Sequence, residues 1–370
     1  MWQEKGLVIL CCITILAVLV GTLWPFDFYR SNGIRLLPGA NGIQFSGAGL
    51  VVSKSLLSTG GTRSKNFCSL EILLRPAGTK SIHTIVSFYV PGNPKQLLVR
   101  QWDDGLFVSH DSLGARNEMK TAKFEVEHAF QQGELLLVTL AFGPDGTTVY
   151  LNGSPRQTFS TFAISQSDCA GQIVMGTSPV RYDPWQGEVR GLAIYSKELN
   201  PEEVQRHYRE WTAGNGVDSP DFDGAVARYC FRERTGHEIH SVVASGPDLE
   251  IPETFEVPHK AFLQSPIKHF EAKWYYAHDV MLNIALFMPV GFLLALFWGQ
   301  TRNRNEVMLF AIFAGAGLSF VIEVLQAYIP QRDSGWTDII TNTLGAGLGA
   351  TLAQSKMILA MLRKTKPMPA

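Results

Sequence analysis

Apolar runs decide what this chain can fold into. Residues 6–23 form one uncharged stretch, and residues 280–299, 307–329 and 339–362 follow in close succession near the C-terminus. A helix that crosses a bilayer needs about 20 such residues, with about 17 as the lower limit. The whole-chain figures, 46% hydrophobic residues, 18% charged and a net charge of −1, average over two unlike populations. Residues 6–24 and 279–362 are membrane-like, whereas residues 31–270 are mixed, polar and rich in turns. Near-neutral charge gives no footing for nucleic-acid binding. No low-complexity tract and no tandem repeat interrupts the 370 residues.

The first run reads as an uncleaved anchor. Its rival, a cleaved signal peptide, has a shorter apolar core and a small-x-small cleavage site. Trp24-Pro25-Phe26-Asp27-Phe28 offers no such site. The fourth run is the weakest, because Gln354, Ser355 and Lys356 interrupt it. Lys/Arg bias sets orientation. Lys5, Arg302 with Arg304, and Arg363 with Lys364 and Lys366 share one side if the chain crosses four times. That side is expected to be cytoplasmic, with residues 31–256 and the loop Pro330–Trp336 outside. The expected fold is mixed: a four-helix α-helical membrane bundle plus an all-β sandwich in the first external loop. Its parts are a first helix in 1–30, the insert 31–256, a linker 257–278, three helices in 279–362 and a cytoplasmic tail 363–370. Gly345-x-x-x-Gly349 and Ala311-x-x-x-Gly315-x-x-x-Ser319 are small-residue faces, expected to pack together.

Polar residues inside the apolar runs carry the functional signal. Asp279/Asn283 and Asp338/Asn342 are i,i+4 pairs and Glu323/Gln326 is an i,i+3 pair, so each pair shares a helix face. The second and fourth helices start, and the third ends, on the outer side. At about 1.5 Å per residue all six residues fall near one depth. Arg332, in Gln331-Arg332-Asp333, is expected to pair with Glu323 or Asp338 at the mouth of one pocket. Glu323 and Asp338 are the candidate acid/base groups; Asp279, Asn283, Gln326, Arg332 and Asn342 are the candidate ligand-binding groups. Ionisable residues inside a membrane are costly and read as functional. The competing reading is a structural network, each bond worth about 0.6 kcal/mol. No metal or cofactor is expected, since carboxylates without clustered His or Cys suit only a hard cation.

Residues 35–211 read as all-β. Cys68–Leu74, Thr84–Tyr89, Leu97–Gln101, Leu106–Ser109, Leu135–Phe142, Thr147–Leu151, Gly171–Gly176 and Glu188–Tyr195 are short strands. Asp104-Gly105, Asp145-Gly146 and Asn152-Gly153 are hairpin turns between them. Cys11 and Cys12 read as packing residues of the first helix. Cys68, Cys169 and Cys230 allow at most one disulfide and leave one thiol over.

Several segments carry resemblances. Asn41–Val52, Phe67–Pro76, Val138–Gly153 and Gln186–Val204 resemble successive signatures of concanavalin-A-like, laminin-G-type jelly rolls. Arg228–Pro252 resembles the strand pattern that usually opens such a domain, but here it follows the closing segment. A permuted strand order is therefore expected, with 225–255 completing the sandwich. The catalytic Glu-x-Asp-x-(x)-Glu run of laminarinase-type relatives is absent, and Glu188 supplies one carboxylate where a retaining glycosidase needs two. Binding is the expected role, with Trp102, Trp185 and Tyr182 as stacking platforms for sugar. Asp103 and Asp104 could touch calcium, but a turn explains them without metal.

The membrane part resembles the VanZ-like family of bacterial membrane proteins. Asp279-x-x-x-Asn283-x-x-x-Phe287-x-Pro289-x-Gly291-Phe292, Glu323-x-x-Gln326-x-x-x-Pro330-x-Arg332 and Asp338-x-x-x-Asn342-x-x-Gly345-Ala346-x-x-Gly349 carry the likeness. Thr22–Phe28 is similar to the end of that family's first helix. The family is named for a protein associated with low-level glycopeptide-antibiotic resistance. The resemblance implies a cell-envelope protein of the bacterial inner membrane. Its expected partners are a membrane lipid or lipid-linked glycan at the polar site and an extracytoplasmic glycan or protein at the jelly roll. A non-catalytic anchor for the jelly roll and a transporter component are the alternatives.

Overall fold

A computed structural model describes residues 2–58, 67–78, 81–113, 119–213, 222–265, 274–299 and 302–355. The chain divides into two compact units, Arg30–His259 and the discontinuous Met1–Tyr29 with Lys260–Ala370. Arg363, Lys364, Lys366, the tail and the end of the fourth apolar run lie outside the described residues, as does part of the expected linker.

The inserted unit is an all-β jelly-roll-like sandwich. Its strands begin with β1 (Ile34–Leu36), β2 (Ile43–Phe45), β3 (Val51–Ser53), β4 (Cys68–Pro76), β5 (Ile82–Val90) and β6 (Asn93–Trp102). Then come β7 (Gly105–Leu113), β8 (Met119–Val126), β9 (Leu136–Gly143), β10 (Gly146–Leu151) and β11 (Ser154–Phe159). Last are β12 (Gln172–Met175), β13 (Gly187–Tyr195), β14 (Ala225–Tyr229), β15 (Glu238–Ile239) and β16 (Leu249–Glu250). One eight-stranded sheet runs β1-β2-β13-β4-β9-β10-β11, with β14 on β13; the other runs β15-β16-β3-β12-β5-β6-β7-β8. Alternate residues of both sheets, among them Ile72, Phe88, Val99, Leu140 and Ile194, fill the space between them. The segment from residue 225 gives one strand to the first sheet and two to the second, and its Tyr229, Phe231 and Leu249 join the same core.

The turns follow their chemistry. Asn152 and Gly153 take φ of 51° and 79°, the positive values that a two-residue hairpin turn between β10 and β11 requires. Cys68 and Cys169 form a buried disulfide, and Cys230 is the buried thiol left over. Desolvation raises the Cys230 thiol above its usual value.

Two features of the sandwich depart from expectation. Residues 201–212 are a helix, not β structure. Asn200 and Glu203 form a reciprocal capping box, and Pro201 opens the helix. Its Val204, His207 and Trp211 pack onto the outer face of the first sheet. There Glu71, fully buried on β4, accepts from Tyr195 Oη at 2.6 Å and Trp211 Nε1 at 3.1 Å. Trp185 is also not a surface platform: it is buried, and its Nε1 donates to Gln101 at 2.7 Å.

Numbered along the chain, the helices are α1 (Trp2–Leu23), α2 (Pro201–Thr212), α3 (Trp274–Trp298), α4 (Arg304–Ala327) and α5 (Trp336–Ala353). All but α2 belong to the second unit. Three of them contain segments long and apolar enough to cross a membrane: Lys5–Leu23, Ala277–Trp298 and Arg304–Ala327. Three such spans lie among the described residues; the fourth expected run, 339–362, is described only as far as residue 355. Ile9, Leu16, Met281, Phe313 and Leu344 stand exposed on these helices, as side chains facing lipid do.

Helices α3 and α5 run parallel in close contact. A Cβ at Gly345 would lie 2.4 Å from Ile284 O, and one at Gly349 would lie 1.9 Å from Met288 O. Helix α4 runs antiparallel to α5: Gly315 meets Ala346, and Ser319 meets Asn342. The Gly345/Gly349 face therefore serves α3, and the adjacent Asn342/Ala346/Ala350 face receives the small-residue face of α4. Helices α4 and α5 pack together as expected, but neighbouring stripes of α5 point to different partners.

Candidate functional site

The polar residues collect at one end of the helical unit. The end of α1, the start of α3, the end of α4 and the start of α5 meet there. Asn283 Nδ2 on α3 donates to Asp338 Oδ1 on α5 at 3.0 Å. Asn342 Nδ2 donates to Ser319 Oγ on α4 at 2.9 Å. Gln326 Nε2 donates to Thr22 O, in the last turn of α1, at 2.9 Å. Glu323, only 1% exposed, accepts the Gly335 N–H at 2.7 Å. Gly335 is the N-cap of α5, so Glu323 ties down the residue at which that helix begins. A negative charge is favoured there by the helix dipole.

Two predicted members behave differently. Arg332 forms no ion pair with Glu323 or Asp338. Its Nε and Nη2 donate to Trp24 O at 3.0 and 2.9 Å, and Nη2 reaches Gly21 O at 3.5 Å. The last carbonyls of α1 have no partner within the helix, and the forked guanidinium satisfies them. Asp279 is largely exposed, and its near neighbour is the His278 ring at 3.7 Å. The expected single pocket is thus a chain of bonds between helices, with Asp279 at its margin.

Some acceptors stay unmet. Gln326 Oε1 and Asn342 Oδ1 are sealed from solvent without a hydrogen-bond partner. Leaving a buried acceptor unpaired costs about 1–3 kcal/mol.

Lys260 is a participant that sequence reasoning missed. Its Nζ donates to Ile329 O at 2.7 Å, Gln326 O at 3.1 Å and Ala327 O at 3.4 Å, closing the C-terminus of α4. Burial pushes its ammonium below the usual lysine value, against the pull of Asp333. Four residues on, Gln264 pairs with Gly335 and accepts from Trp336 N at 3.2 Å. The segment 260–264 thereby holds the turn that presents Gly335 to Glu323. A lone lysine in a polar linker carries no pattern that would have announced this.

On the sandwich, Glu188 is bound to Arg75 at 3.0 Å and Arg190 at 2.9 Å, so its carboxylate is already paired. Tyr182 packs edge-on against Phe255 at 5.7 Å, and Trp102 stands 45% exposed. Asp104 accepts from or pairs with His128 Nδ1 at 2.5 Å. Among the described residues no three His, Cys, Asp or Glu side chains gather as a metal would require.

Comparison with known proteins adds two matches in the one chain. Residues 233–359 match the VanZ/LLP1 family model, and residues 57–205 match the concanavalin A-like lectin/glucanases superfamily model. No curated protein matches. Among solved structures, a putative carbohydrate-binding protein from Bacteroides ovatus is 12% identical at a TM-score of 0.37, over 54% of this chain and 57% of that one. The binding domain of botulinum neurotoxin DC, solved with rat synaptotagmin II, is 13% identical at 0.35, over 49% and 46%. An SAP-like pentraxin from Limulus polyphemus is 14% identical at 0.36, over 61% and 94%. The chain spans about half the length of the first two.

Proposed function

We propose that this is a multi-pass protein of the bacterial inner membrane whose polar helix end receives the head group of a lipid or lipid-linked glycan. The termini are cytoplasmic and the sandwich lies outside, where it binds an extracytoplasmic glycan or protein. The observation that carries this reading is the pair of sealed, unmet acceptors, Gln326 Oε1 and Asn342 Oδ1. Hydroxyl donors of a head group would satisfy them. Nη1 of Arg332, which forms no hydrogen bond among the described residues, remains for a phosphate. Asp279 and Asn283 flank the entrance, and Glu323 and Asp338 supply the carboxylates for proton transfer.

One observation favours the anchor reading instead. Asn283, Asn342, Gln326 and Arg332 all bridge helices, as structural polar groups in membranes do. A deletion strain complemented with Glu323→Gln or Asp338→Asn separates the two. Under the proposal both variants reach wild-type abundance in the membrane yet fail to restore the lipid and envelope-glycan profile. Full restoration by both would leave the helices as an anchor.

A further inference from the structure

Arg100 is the anomaly of the sandwich. It lies on β6, where Leu97 and Val99 point into the core and Arg100 alternates to the opposite face. Even so, it is only 8% exposed. A guanidinium this buried is ordinarily paired, since an uncompensated buried charge costs several kcal/mol. Among the described residues Arg100 makes no hydrogen bond and no ion pair, and its Nε is sealed from solvent. Its acidic neighbour Asp183 is engaged elsewhere: it accepts from Thr84 Oγ1 at 2.7 Å and Ser178 N at 2.5 Å. Asp111 accepts from Thr121 Oγ1 at 2.6 Å. Arg228 makes the contrast. It too has sealed nitrogens, but its guanidinium lies 3.8 Å over the Phe222 ring.

The face around Arg100 is furnished for a polar ligand. The sheet register sets Arg100 between Thr84 on β5 and Phe107 on β7. One row along, Leu98 lies between Ser87 and Ser109. Ser109 is buried outside the core between the sheets, and its hydroxyl makes no hydrogen bond among the described residues. Trp102, two residues along β6 on the same face and about 7 Å away, is 45% exposed.

We infer that Arg100 anchors a saccharide site on this face, built for a sugar carrying a carboxylate or a sulfate. The guanidinium offers forked donors to the anionic group. Trp102 offers a flat apolar surface to the sugar ring, and Ser109 a hydroxyl to its rim. An acidic peptide would use the guanidinium but leave the indole platform idle. This inference rests on reading the sandwich as a glycan-binding module and adds the charge of the ligand.

The test is calorimetric titration of the full-length protein in nanodiscs with trigalacturonate, a heparin-derived tetrasaccharide, galactotriose and hexaglutamate. The expected result is binding of one acidic saccharide at least roughly ten-fold tighter than galactotriose or hexaglutamate. Trigalacturonate against the heparin fragment tells carboxylate from sulfate. Arg100→Gln should weaken that binding roughly ten- to hundred-fold, and Trp102→Ala should weaken it too. Because the guanidinium makes no hydrogen bond or close ion pair, Arg100→Met should keep or raise the melting temperature. A fall of more than about 4 °C would mark Arg100 as structural and overturn the inference. So would equal binding of hexaglutamate, or no binding of either acidic saccharide. Galactotriose binding as tightly as the acids would overturn the anionic class while leaving the glycan reading intact.

Discussion

Asn283 and Asp338 show what a polar residue in an apolar helix must do, which is find a partner before lipid surrounds it. Their 3.0 Å bond joins α3 to α5. Exchanging both for apolar residues removes donor and acceptor together, whereas exchanging one strands the other. A double-mutant cycle of Asn283→Leu and Asp338→Leu, read by thermal unfolding in detergent, should give a coupling near 0.6 kcal/mol and not above about 1.7 kcal/mol. A coupling near zero would remove this bond from the account of the site. The identity of such residues was legible in the sequence, because an Asp or Asn stands out against Leu and Ile. Their partners were not. Arg332 was expected on a carboxylate, since opposite charges attract. It goes to Trp24 O because the end of α1 leaves carbonyls without a partner inside the helix. A long side chain is bound by what lies within its radius, and that depends on how helices far apart in sequence end.

At the scale of elements, local chemistry was readable wherever it was explicit. Asn152-Gly153 and Asp145-Gly146 announced their hairpins, and each of the eight strands expected from short apolar runs is present. Helix α2 was missed although Asn200-Pro201-x-Glu203 spells a capping box, because it sits inside a long β pattern. The glycines of α5 were recognised as a close-packing face, but which helix they meet is a question of rotation. Here Gly349 faces the backbone of α3 so closely that a methyl group would overlap Met288 O. Gly349→Ala should therefore force α3 and α5 apart and destabilise the helical unit by about 1–3 kcal/mol or more. Gly317, on α4, has nothing within 4 Å of a built Cβ. Gly317→Ala should leave the melting temperature unchanged or slightly raised, as alanine favours a helix over glycine. Equal effects of the two substitutions would contradict the packing described.

For the whole molecule, the sequence order of the units matters more than their composition. A helical unit is interrupted after Tyr29 and resumes at Lys260, and the sandwich is the insert. The ends of α1 and α4 and the starts of α3 and α5 share one end of the helical unit, where Lys260 and Arg332 are spent on backbone carbonyls. The opposite end carries Lys5, Arg302 and Arg304, whose charges answer to the Lys/Arg bias that sets membrane orientation. The buried Cys68–Cys169 disulfide points the same way, since such bonds persist in oxidising compartments outside the cytoplasm. Both arguments support the proposed orientation, with the sandwich outside and the loop before α4 inside. Single cysteines tested with a membrane-impermeant maleimide on intact cells decide the matter, after Cys11 and Cys12 are replaced by serine. Cys230 is buried and should stay silent. Arg156→Cys, on the exposed strand β11, should label without permeabilisation. Asn303→Cys, at the N-cap of α4, should label only after the membrane is opened. Labelling of position 303 in intact cells would reverse the orientation. The polar helix end would then face the cytoplasm, and the proposed head-group site would have to draw on the inner leaflet.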